Sequence, residues 1–494
     1  MASKTKSSKK SFLLRLIIYI IVILFLLVPA ILFFIYWEKL IISKVLKVVK
    51  LSPDSEGMTY WKNPPTIITR AYRLYDYGTN SIDLIKRNAS ATLNVQETRP
   101  YMYDINATKA DIEWVNNDQD LKYSIHRIFT RQKDFDQTLL TAEGTFVDIL
   151  RAIFRSQFSN IQELFFDMGG NDIFYQRPGI DELEGFTSSL FRAMQDKMTG
   201  PNVAKYGYVY RYNGSRSYNY TIRAGVEDKG RVLEFASENV PFQRNSSDYP
   251  FKMYDGLTFL PLLQTKKTIN IFQPDFCRPI QLKFNKIVRM FNINVHEFII
   301  RLVDLEQCTD NSETCNESDR LDISKCLSAS MPSGTVYLSK PHFYGHNSSQ
   351  FNINGFSPER EKHESMIYFE PYSGTPVKAH HRIQLNVNAF VDTFKYRGGE
   401  WRPSMNARVS KRILPLLWID QEITLNTTAL GQLQYVHRMV KILNIARFVA
   451  LAVAIVIPII LIVAMELRSK SVAGKRRNGD PDFKKQPVLL RTRI

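Results

Sequence analysis

The sequence lacks the motifs on which most enzymes depend. It contains no G-x-S-x-G nucleophile elbow, no phosphate-binding P-loop and no glycine fingerprint for a dinucleotide. The stretch His296–Ile299 begins like a zinc-protease helix, but Ile300 occupies the position of the second metal-binding histidine. His363 and the pair His380–His381 are isolated in the sequence, and such histidines are more often surface or hydrogen-bonded structural groups than metal ligands. The sequence therefore predicts a binding protein that is not an enzyme, with no catalytic residues, no cofactor and no metal.

Cysteine is scarce as well, with four in 494 residues: Cys277, Cys308, Cys315 and Cys326. They include no C-x-x-C pair, and the histidines do not cluster beside them, so a zinc site is not supported. In an oxidising compartment these four residues would form two disulfides. Four cysteines allow three connectivities, and the spacing alone does not choose among them.

Long hydrophobic runs are what the sequence does have, one near each end. Residues 16–37 pass without a charge, and a helix of that length, at about 1.5 Å per residue, crosses a hydrocarbon core of roughly 30 Å. This run ends in bulky aromatic residues and not at a small-residue cleavage site, which favours an uncleaved anchor over a signal peptide or a buried core helix. Residues 448–467 form the second predicted transmembrane helix.

Basic residues flank both predicted spans. The tail at residues 1–15 carries four lysines and Arg15 without any acidic residue, and the tail at residues 468–494 carries nine basic residues. The positive-inside rule therefore predicts two cytoplasmic tails, with residues 38–447 forming an ectodomain on the other side of the membrane. Most of the net charge of +17 lies in these tails. It predicts topology and attraction to anionic lipid, and it does not indicate nucleic-acid binding.

N-glycosylation sequons support this topology, because all of them lie between the two predicted spans. They predict a glycoprotein with candidate glycans at Asn88, Asn106, Asn213, Asn219, Asn245, Asn316, Asn347 and Asn426.

Within the ectodomain, short alternating patterns predict many strands. The clearest is residues 381–391, where every second residue is apolar. Alternating tyrosines at residues 206–212, the turn Asn213–Gly214 and a second alternation at residues 218–222 predict a hairpin. Residues 139–200 differ, since Phe146, Leu150 and Phe158 recur at helical spacing and two further helical segments follow. The pattern predicts a mainly β ectodomain, an antiparallel barrel or sandwich, with a small helical bundle at about residues 139–200.

A series of short motifs in a fixed order carries a family resemblance. It consists of Arg99–Tyr101, Leu321–Cys326, Gly334–Ser339, Pro341–Phe343, Gly355–Pro358, Glu361, His363, Glu370–Pro371, Gly374, Arg382–Asn386 and Pro415–Trp418. With a span at each end, the chain resembles the class B scavenger receptor family, the group of platelet glycoprotein IV and the lysosomal integral membrane protein. The resemblance covers nearly the whole chain.

The resemblance implies both a fold and a function. The implied fold is an antiparallel β-barrel crossed by an apolar tunnel and capped by a helical head. The resemblance also implies two nested disulfides, Cys277 with Cys326 and Cys308 with Cys315. Ligands would meet the head, where the candidate contacts are Arg151, Arg155, Phe158, Phe165 and Phe166.

The expected function is a plasma-membrane receptor that binds lipids or lipoproteins and passes lipid through the tunnel to the membrane. The alternative within the same fold is a lysosomal membrane protein that carries a luminal enzyme or exports lipid. Leu489–Leu490 is a candidate sorting signal, although Lys485 stands where such a signal has an acidic residue. The terminal residues Thr492, Arg493 and Ile494 form a candidate ligand for a PDZ protein. A two-span ligand-gated ion channel is the alternative of another class, and the low cysteine content disfavours it.

Overall fold

A computed structural model describes residues 2–88, 90–132, 136–149, 152, 173–187, 205–214, 216–225, 228–237, 242–245, 251–261, 263, 266–304, 317–327, 331, 333–391, 394–397, 400–403 and 410–477. The chain divides into two compact units. One is Val45–Gln432, and the other combines Met1–Lys44 with Leu433–Ile494.

The described helices are α1 (Ala2–Val49), α2 (Glu56–Lys62), α3 (Gly78–Arg87), α4 (Gln137–Thr141), α5 (Gly179–Glu184), α6 (Ser324–Leu327), α7 (Arg360–His363) and α8 (Thr427–Arg477). The described strands are β1 (Thr66–Asp76), β2 (Leu93–Asn94), β3 (Gln96–Glu97), β4 (Tyr101–Val115), β5 (Asp120–Arg131), β6 (Glu143–Val147), β7 (Phe174–Pro178), β8 (Arg216–Arg223), β9 (Val232–Ser237), β10 (Phe242–Asn245), β11 (Thr268–Gln273), β12 (Arg278–Met290), β13 (Ile293–Arg301), β14 (Leu321–Asp322), β15 (Val336–Ser339), β16 (Ile353–Asn354), β17 (Met366–Phe369), β18 (Pro376–Val391), β19 (Phe394–Arg397), β20 (Glu400–Pro403) and β21 (Ser410–Leu425). Short 3₁₀ turns occupy Pro274–Phe276, Pro341–Phe343 and Ser348–Phe351.

The unit of chain ends consists of α1 and α8 packed side by side. The Tyr19 hydroxyl lies 3.1 Å from the sulfur of Met465, and the rings of Phe34 and Phe448 lie 5.3 Å apart, so the helices run antiparallel. Their outer faces are apolar and uncovered, as at Phe25, which is 77% exposed. Both helices are long and apolar enough to cross a membrane, over Leu16–Val49 and Thr427–Arg468. These stretches contain both predicted spans, and their exposed apolar faces suit lipid better than water.

The other unit is built on one large antiparallel sheet. Its main strand order is β10-β9-β8-β5-β4-β1-β21-β18-β17-β13-β12-β11. The segment at residues 253–255 links the two ends of that order. Val232 on β9 donates its N–H to the carbonyl of Met253, and Tyr254 exchanges backbone hydrogen bonds with Asn270 and Phe272 of β11. The sheet is thus nearly closed, which confirms the predicted antiparallel barrel.

The longest strands pack one face into the barrel. Ile383, Val387 and Ala389 on β18 are buried in one apolar cluster with Val336 and Leu414. The predicted alternation over residues 381–391 is therefore confirmed, although a β-bulge falls between Leu385 and Asn386. Branched apolar side chains suit the buried face of a strand. Arg382, Gln384 and Asn386 on the other face of β18 are buried as well.

A disulfide joins Cys277 and Cys326, whose Cα atoms are 5.4 Å apart. Cys277 ends the turn Pro274–Phe276, and Cys326 lies on α6, so the bond ties these two connections together. The remaining cysteines, Cys308 and Cys315, lie outside the described residues.

The hairpin predicted at residues 206–222 is wrong. Its second half is strand β8, but β8 pairs with β5 and β9, and residues 208–214 form turns. Tertiary contacts override the tyrosine alternation, because the backbone N–H of Val209 bonds to the carbonyl of Leu183 on α5. Gly207 also approaches α5 so closely that a Cβ there would lie 2.6 Å from the nitrogen of Gly185. A side chain would force these segments apart.

The predicted helical head is described only in part. Phe146, which was expected to begin its first helix, lies in strand β6 and pairs with Tyr175 of β7. The helical pattern is overridden there because Thr145, Phe146 and Val147 favour a strand once β7 supplies its hydrogen bonds. The candidate head contacts Arg151, Arg155, Phe158, Phe165 and Phe166 all lie outside the described residues.

Candidate functional site

The candidate site is a cavity inside the barrel, and three neighbouring strands build one of its walls. Side chains at alternate positions of β1, β21 and β18 point to the same face, and the strand register aligns them in rows. The first row is Arg70, Gln421 and His381, which we call the polar row. The next rows, towards the other end of the wall, are Tyr72, Ile419 and Ile383, followed by Leu417 and Leu385.

The rest of the lining comes from connections between strands. Ile323, Leu327 and Phe276 lie around the disulfide, and Leu338 comes from β15. The turn segment, residues 205–214, contributes Tyr206, Tyr208 and Tyr212 together with the cation Arg211, and Ile149 and Asp275 also line the cavity. The enclosed space is about 840 Å³, including its opening to solvent. A mostly apolar lining suits a hydrocarbon ligand.

The carboxylate at the polar end of the cavity is paired within the protein. The Arg70 guanidinium donates to the side-chain oxygen of Gln421 and to the hydroxyl of Tyr72. Arg127 donates from both terminal nitrogens to the Asp275 carboxylate, at 3.1 and 2.8 Å. Arg70 lies 4.0 Å from the same carboxylate. A buried carboxylate held between two guanidinium groups is compensated.

Two fully buried polar atoms of the lining have no hydrogen-bond partner among the described residues. They are the Nε2 atom of His381 and the hydroxyl of Tyr208. Burial and then the charge of Arg70 lower the pKa of His381 to about 4, so this imidazole is neutral at pH 7. Burial, reinforced by Tyr206 and Glu182, raises the pKa of the Tyr208 hydroxyl well above its ordinary value. Both groups are therefore uncharged.

A second cluster of ionisable side chains lies on the opposite face of β21, beside Trp418. We call Glu97, His342 and His363 the histidine cluster. One possible ligand atom from each residue lies within 4.8 Å of the others, a spacing that a metal ion could bridge. The two imidazole rings are stacked, with centroids 4.3 Å apart, and His342 pairs with Glu97 through Nε2.

Hydrogen bonding at the other ring nitrogens argues against a metal in the histidine cluster. The Nδ1 atom of His342 accepts from the backbone N–H of Ser357, and that of His363 accepts from Glu359, both at 2.8 Å. Each neutral ring then carries its proton on Nε2, the atom that would have to bind metal. Metal-bound histidines normally donate from the second nitrogen. The donor set therefore does not fit a metal and suits a His342 ring that donates from Nε2 to the Glu97 carboxylate.

Burial and contacts within the histidine cluster together shift the pKa values of His363 and Glu97 downwards. Burial and then the positive charge of His342 lower the pKa of His363 to about 4. Burial acts to raise the pKa of Glu97, but the hydrogen bond and charge of His342 outweigh it and bring that pKa below its ordinary value. The cluster therefore links β3, the turn Pro341–Phe343 and α7 in a way that depends on pH.

The candidate glycosylation sites whose burial is described lie at the surface or are half-buried. In Asn88, Asn213, Asn347 and Asn426 the side-chain oxygen accepts a backbone N–H. The amide nitrogen, which would carry the sugar, makes no hydrogen bond within the described part of the chain. Asn316 lies outside the described residues.

Sequence reasoning missed the polar row and the histidine cluster. Arg70, Gln421 and His381 come from three strands and meet only through strand register. A weak signal was present in residues 381–385, where a histidine begins a run of alternating apolar residues on a cavity-facing strand.

Comparisons with known proteins identify relatives over nearly the whole chain. A family model described as "CD36 family" matches residues 20–465. Sensory neuron membrane protein 1 of Manduca sexta is 23% identical over 447 residues, which cover 81% of each chain. The protein of the same name from Plutella xylostella is 22% identical over 442 residues, again covering 81% of each chain. Sensory neuron membrane protein 2 of Heliothis virescens is 20% identical over 498 residues, which cover 90% of this chain and 92% of the relative.

Proposed function

This chain belongs to the CD36 family, and from that premise we propose that it is a cell-surface receptor that binds lipids or lipoproteins and passes lipid through its barrel to the membrane. It is a membrane protein with two candidate spans, from a family of receptors. The observation that carries the proposal is the mostly apolar cavity inside the barrel.

The physical case for such a cavity is the cost of exposing a hydrocarbon to water. At about 0.8 kcal/mol per methylene, a long acyl chain resists leaving a particle or bilayer for water by more than roughly 10 kcal/mol. Side chains such as Ile383, Leu385 and Ile419 offer a lining that replaces water along the path. Transfer would then run downhill without an energy source.

Blocking the cavity tests this function. Leu385→Trp places a large ring in the cavity, whereas Ile67→Trp makes a similar change on β1 at a side chain that is 54% exposed and outside the lining. In cells that express equal surface amounts of each full-length variant, we expect uptake of a fluorescent lipid from lipoprotein to fall only with Leu385→Trp. Equal uptake by both variants would contradict transfer through the cavity.

We also propose that both tails lie in the cytosol and that the glycosylated unit stands outside the cell. The basic tails and the accessible sequon asparagines support this orientation. Epitope tags at both termini should be detected only in permeabilised cells, and peptide N-glycosidase should lower the mass of the surface protein. Staining of either tag in intact cells would contradict this topology.

First contact with a ligand is proposed at the predicted head. Replacing Arg151 and Arg155 by alanine should weaken lipoprotein binding at low ionic strength, since exposed charges steer binding partners more strongly when they are less screened. Binding that is unchanged at every salt concentration would remove these two residues from the ligand site.

Residues of the C-terminal tail can be used to test whether the protein resides in the plasma membrane or in the lysosome. If Leu489 and Leu490 form a sorting signal, replacing both by alanine should move the protein from lysosomes to the cell surface. Unchanged residence would exclude that signal.

Removing Ile494 should abolish binding of the tail to a PDZ domain if Thr492–Ile494 is its ligand, because such domains hold a terminal apolar side chain.

A further inference from the structure

Strand register identifies the end of the barrel at which the chain enters and leaves it. Thr66, the first residue of β1, pairs with Leu425, the last residue of β21. The helix α8 begins two residues later, at Thr427, and β1 follows α1 and the short α2 in the chain. Both connections to the candidate membrane spans therefore leave from the same end of the barrel, which we call the chain-entry end.

One hairpin projects from the chain-entry end. A row of paired residues crosses four strands, from Thr424 on β21 through Lys378 and Tyr368 to Glu297 on β13. From Glu297 the hairpin of β12 and β13 runs outwards for five residues to Asn292 in its turn, which at about 3.4 Å per residue is roughly 17 Å. Within the described part of the chain, no third strand pairs with residues 286–295. We call these residues the ribbon.

The ribbon exposes apolar and basic side chains together. Ile287 is 60% exposed, and Phe291 at the tip is 40% exposed. Lys286 and Arg289 are exposed between them. Residues 278–296 contain no acidic residue that could neutralise this surface. Exposed apolar side chains beside lysine and arginine are typical of protein segments that lie on a membrane surface, where the cations meet lipid phosphates.

The turn of the ribbon is built at a conformational cost. Phe291 and Asn292 form a two-residue turn, with φ angles of 51° and 60°. Turns of this kind favour asparagine, aspartate and glycine, because a bulky residue at positive φ is strained. Strained residues of this kind occur where a side chain has a role besides folding. The phenylalanine at the tip therefore points to a contact with an apolar partner.

The length of the ribbon suits the bilayer in which the protein is anchored. Along α8, the first large apolar side chain that is exposed among the described residues is Tyr435, which is 63% exposed. It follows Leu425 by ten residues, or about 15 Å of helix. The ribbon projects by a similar length from the end of the barrel to which that helix is joined.

We propose that the ribbon contacts the phospholipid surface on the side of the membrane where the barrel stands. Ile287 and Phe291 enter the head-group layer, and Lys286 and Arg289 bind lipid phosphates. This contact is separate from the proposed lipid transfer and does not depend on the cavity.

Photocrosslinking of the full-length protein in phosphatidylcholine vesicles tests the proposal. Benzoylphenylalanine replaces Phe291 in one protein and Tyr175 in the matched control. Tyr175 is an aromatic residue of similar exposure, 43%, and it pairs with Phe146 of β6 beside the far end of β1. After irradiation, mass spectrometry measures the phospholipid that is bound covalently to each protein. We expect at least about tenfold more adduct at position 291, because the 11 residues of β1 alone span about 36 Å.

Charge variants test the basic side chains in vesicles of phosphatidylcholine mixed with phosphatidylglycerol. Lys286→Gln combined with Arg289→Gln should lower the adduct at position 291 about fivefold or more, since each basic residue at an anionic surface contributes about a factor of five to binding. Arg99→Gln combined with Lys411→Gln is the matched control. It removes two exposed charges near the far end of the barrel and should leave the adduct unchanged.

Three results would overturn the proposal. They are equal phospholipid adducts at positions 291 and 175, adducts at position 291 that join only protein, and an adduct that the Lys286 and Arg289 variant leaves unchanged. Leu385→Trp, which fills the cavity, should leave the adduct at position 291 as it is. Loss of lipid uptake with an unchanged adduct, or the reverse, therefore separates this contact from transfer through the barrel.

Discussion

Acid should destabilise the ectodomain through His363. This side chain is only 3% exposed, and it lies against His342 and Trp418. Its pKa in the folded protein is about 4, compared with 6.5 in an unfolded chain. The unfolded state therefore binds the proton more tightly. The stabilisation is complete above pH 6.5 and is lost as the pH falls from 6.5 towards 4.

The size of this loss follows from the pKa difference. One pKa unit corresponds to about 1.4 kcal/mol, so the stability lost between pH 6.5 and pH 4 is at most about 3 kcal/mol. Unfolding entropy is about 2.1 cal/mol/K per residue. For the unit Val45–Gln432, a loss of 3 kcal/mol corresponds to a decrease of about 4 °C in the melting temperature.

The variant His363→Asn isolates this effect. Its side-chain oxygen can replace Nδ1 as acceptor for the Glu359 N–H, but it does not titrate in this range. The variant loses the ring stacking, so it should melt below the unmodified protein at pH 7.5. The difference in melting temperature between the two proteins should narrow by about 3 °C at pH 4.5. Tryptophan fluorescence of the full-length protein in detergent would measure it.

The control is His346→Asn, a half-buried histidine outside the histidine cluster. It should leave the dependence of the melting temperature on pH unchanged. A gap between His363→Asn and the unmodified protein that is the same at pH 7.5 and pH 4.5 would refute the linkage argument.

Three further predictions concern other contacts. Replacing Cys277 and Cys326 by serine removes a cross-link with a sequence separation of 49 residues, which should cost about 4 kcal/mol and lower the melting temperature in detergent. Trp61→Phe should lower the melting temperature by the equivalent of about 1–3 kcal/mol, because it removes the buried 2.7 Å bond from the indole N–H to the Thr258 hydroxyl. Asn347→Gln should lower the mass of the surface protein by one glycan on a denaturing gel.

Local patterns in the sequence were enough to predict the helices and strands whose formation depends on local sequence alone. The apolar runs predict α1 and α8, because a long run without charge has few other structures to adopt. The alternation over residues 381–391 predicts β18, because one side of that strand is buried along its length. The ordered motifs in the second half of the chain identify the family, and membership of the family predicts the barrel.

Long-range pairing accounts for what the sequence could not provide. Tyrosines at residues 206–212 alternate as in a strand, yet contacts with α5 hold them as turns over the cavity. Arg70 and Gln421 are 351 residues apart in the chain and meet only through the register of β1 with β21. No local pattern encodes such a meeting.

Recovery of bound lipid tests the central claim most directly. Full-length protein, purified from cells together with its Leu385→Trp and Ile67→Trp variants, would be extracted and its lipids identified by mass spectrometry. The cavity predicts lipid in near-stoichiometric amounts with the unmodified protein and with Ile67→Trp, and far less with Leu385→Trp. Equal lipid in all three proteins, or none in any of them, would contradict a barrel that shelters lipid on its way to the membrane.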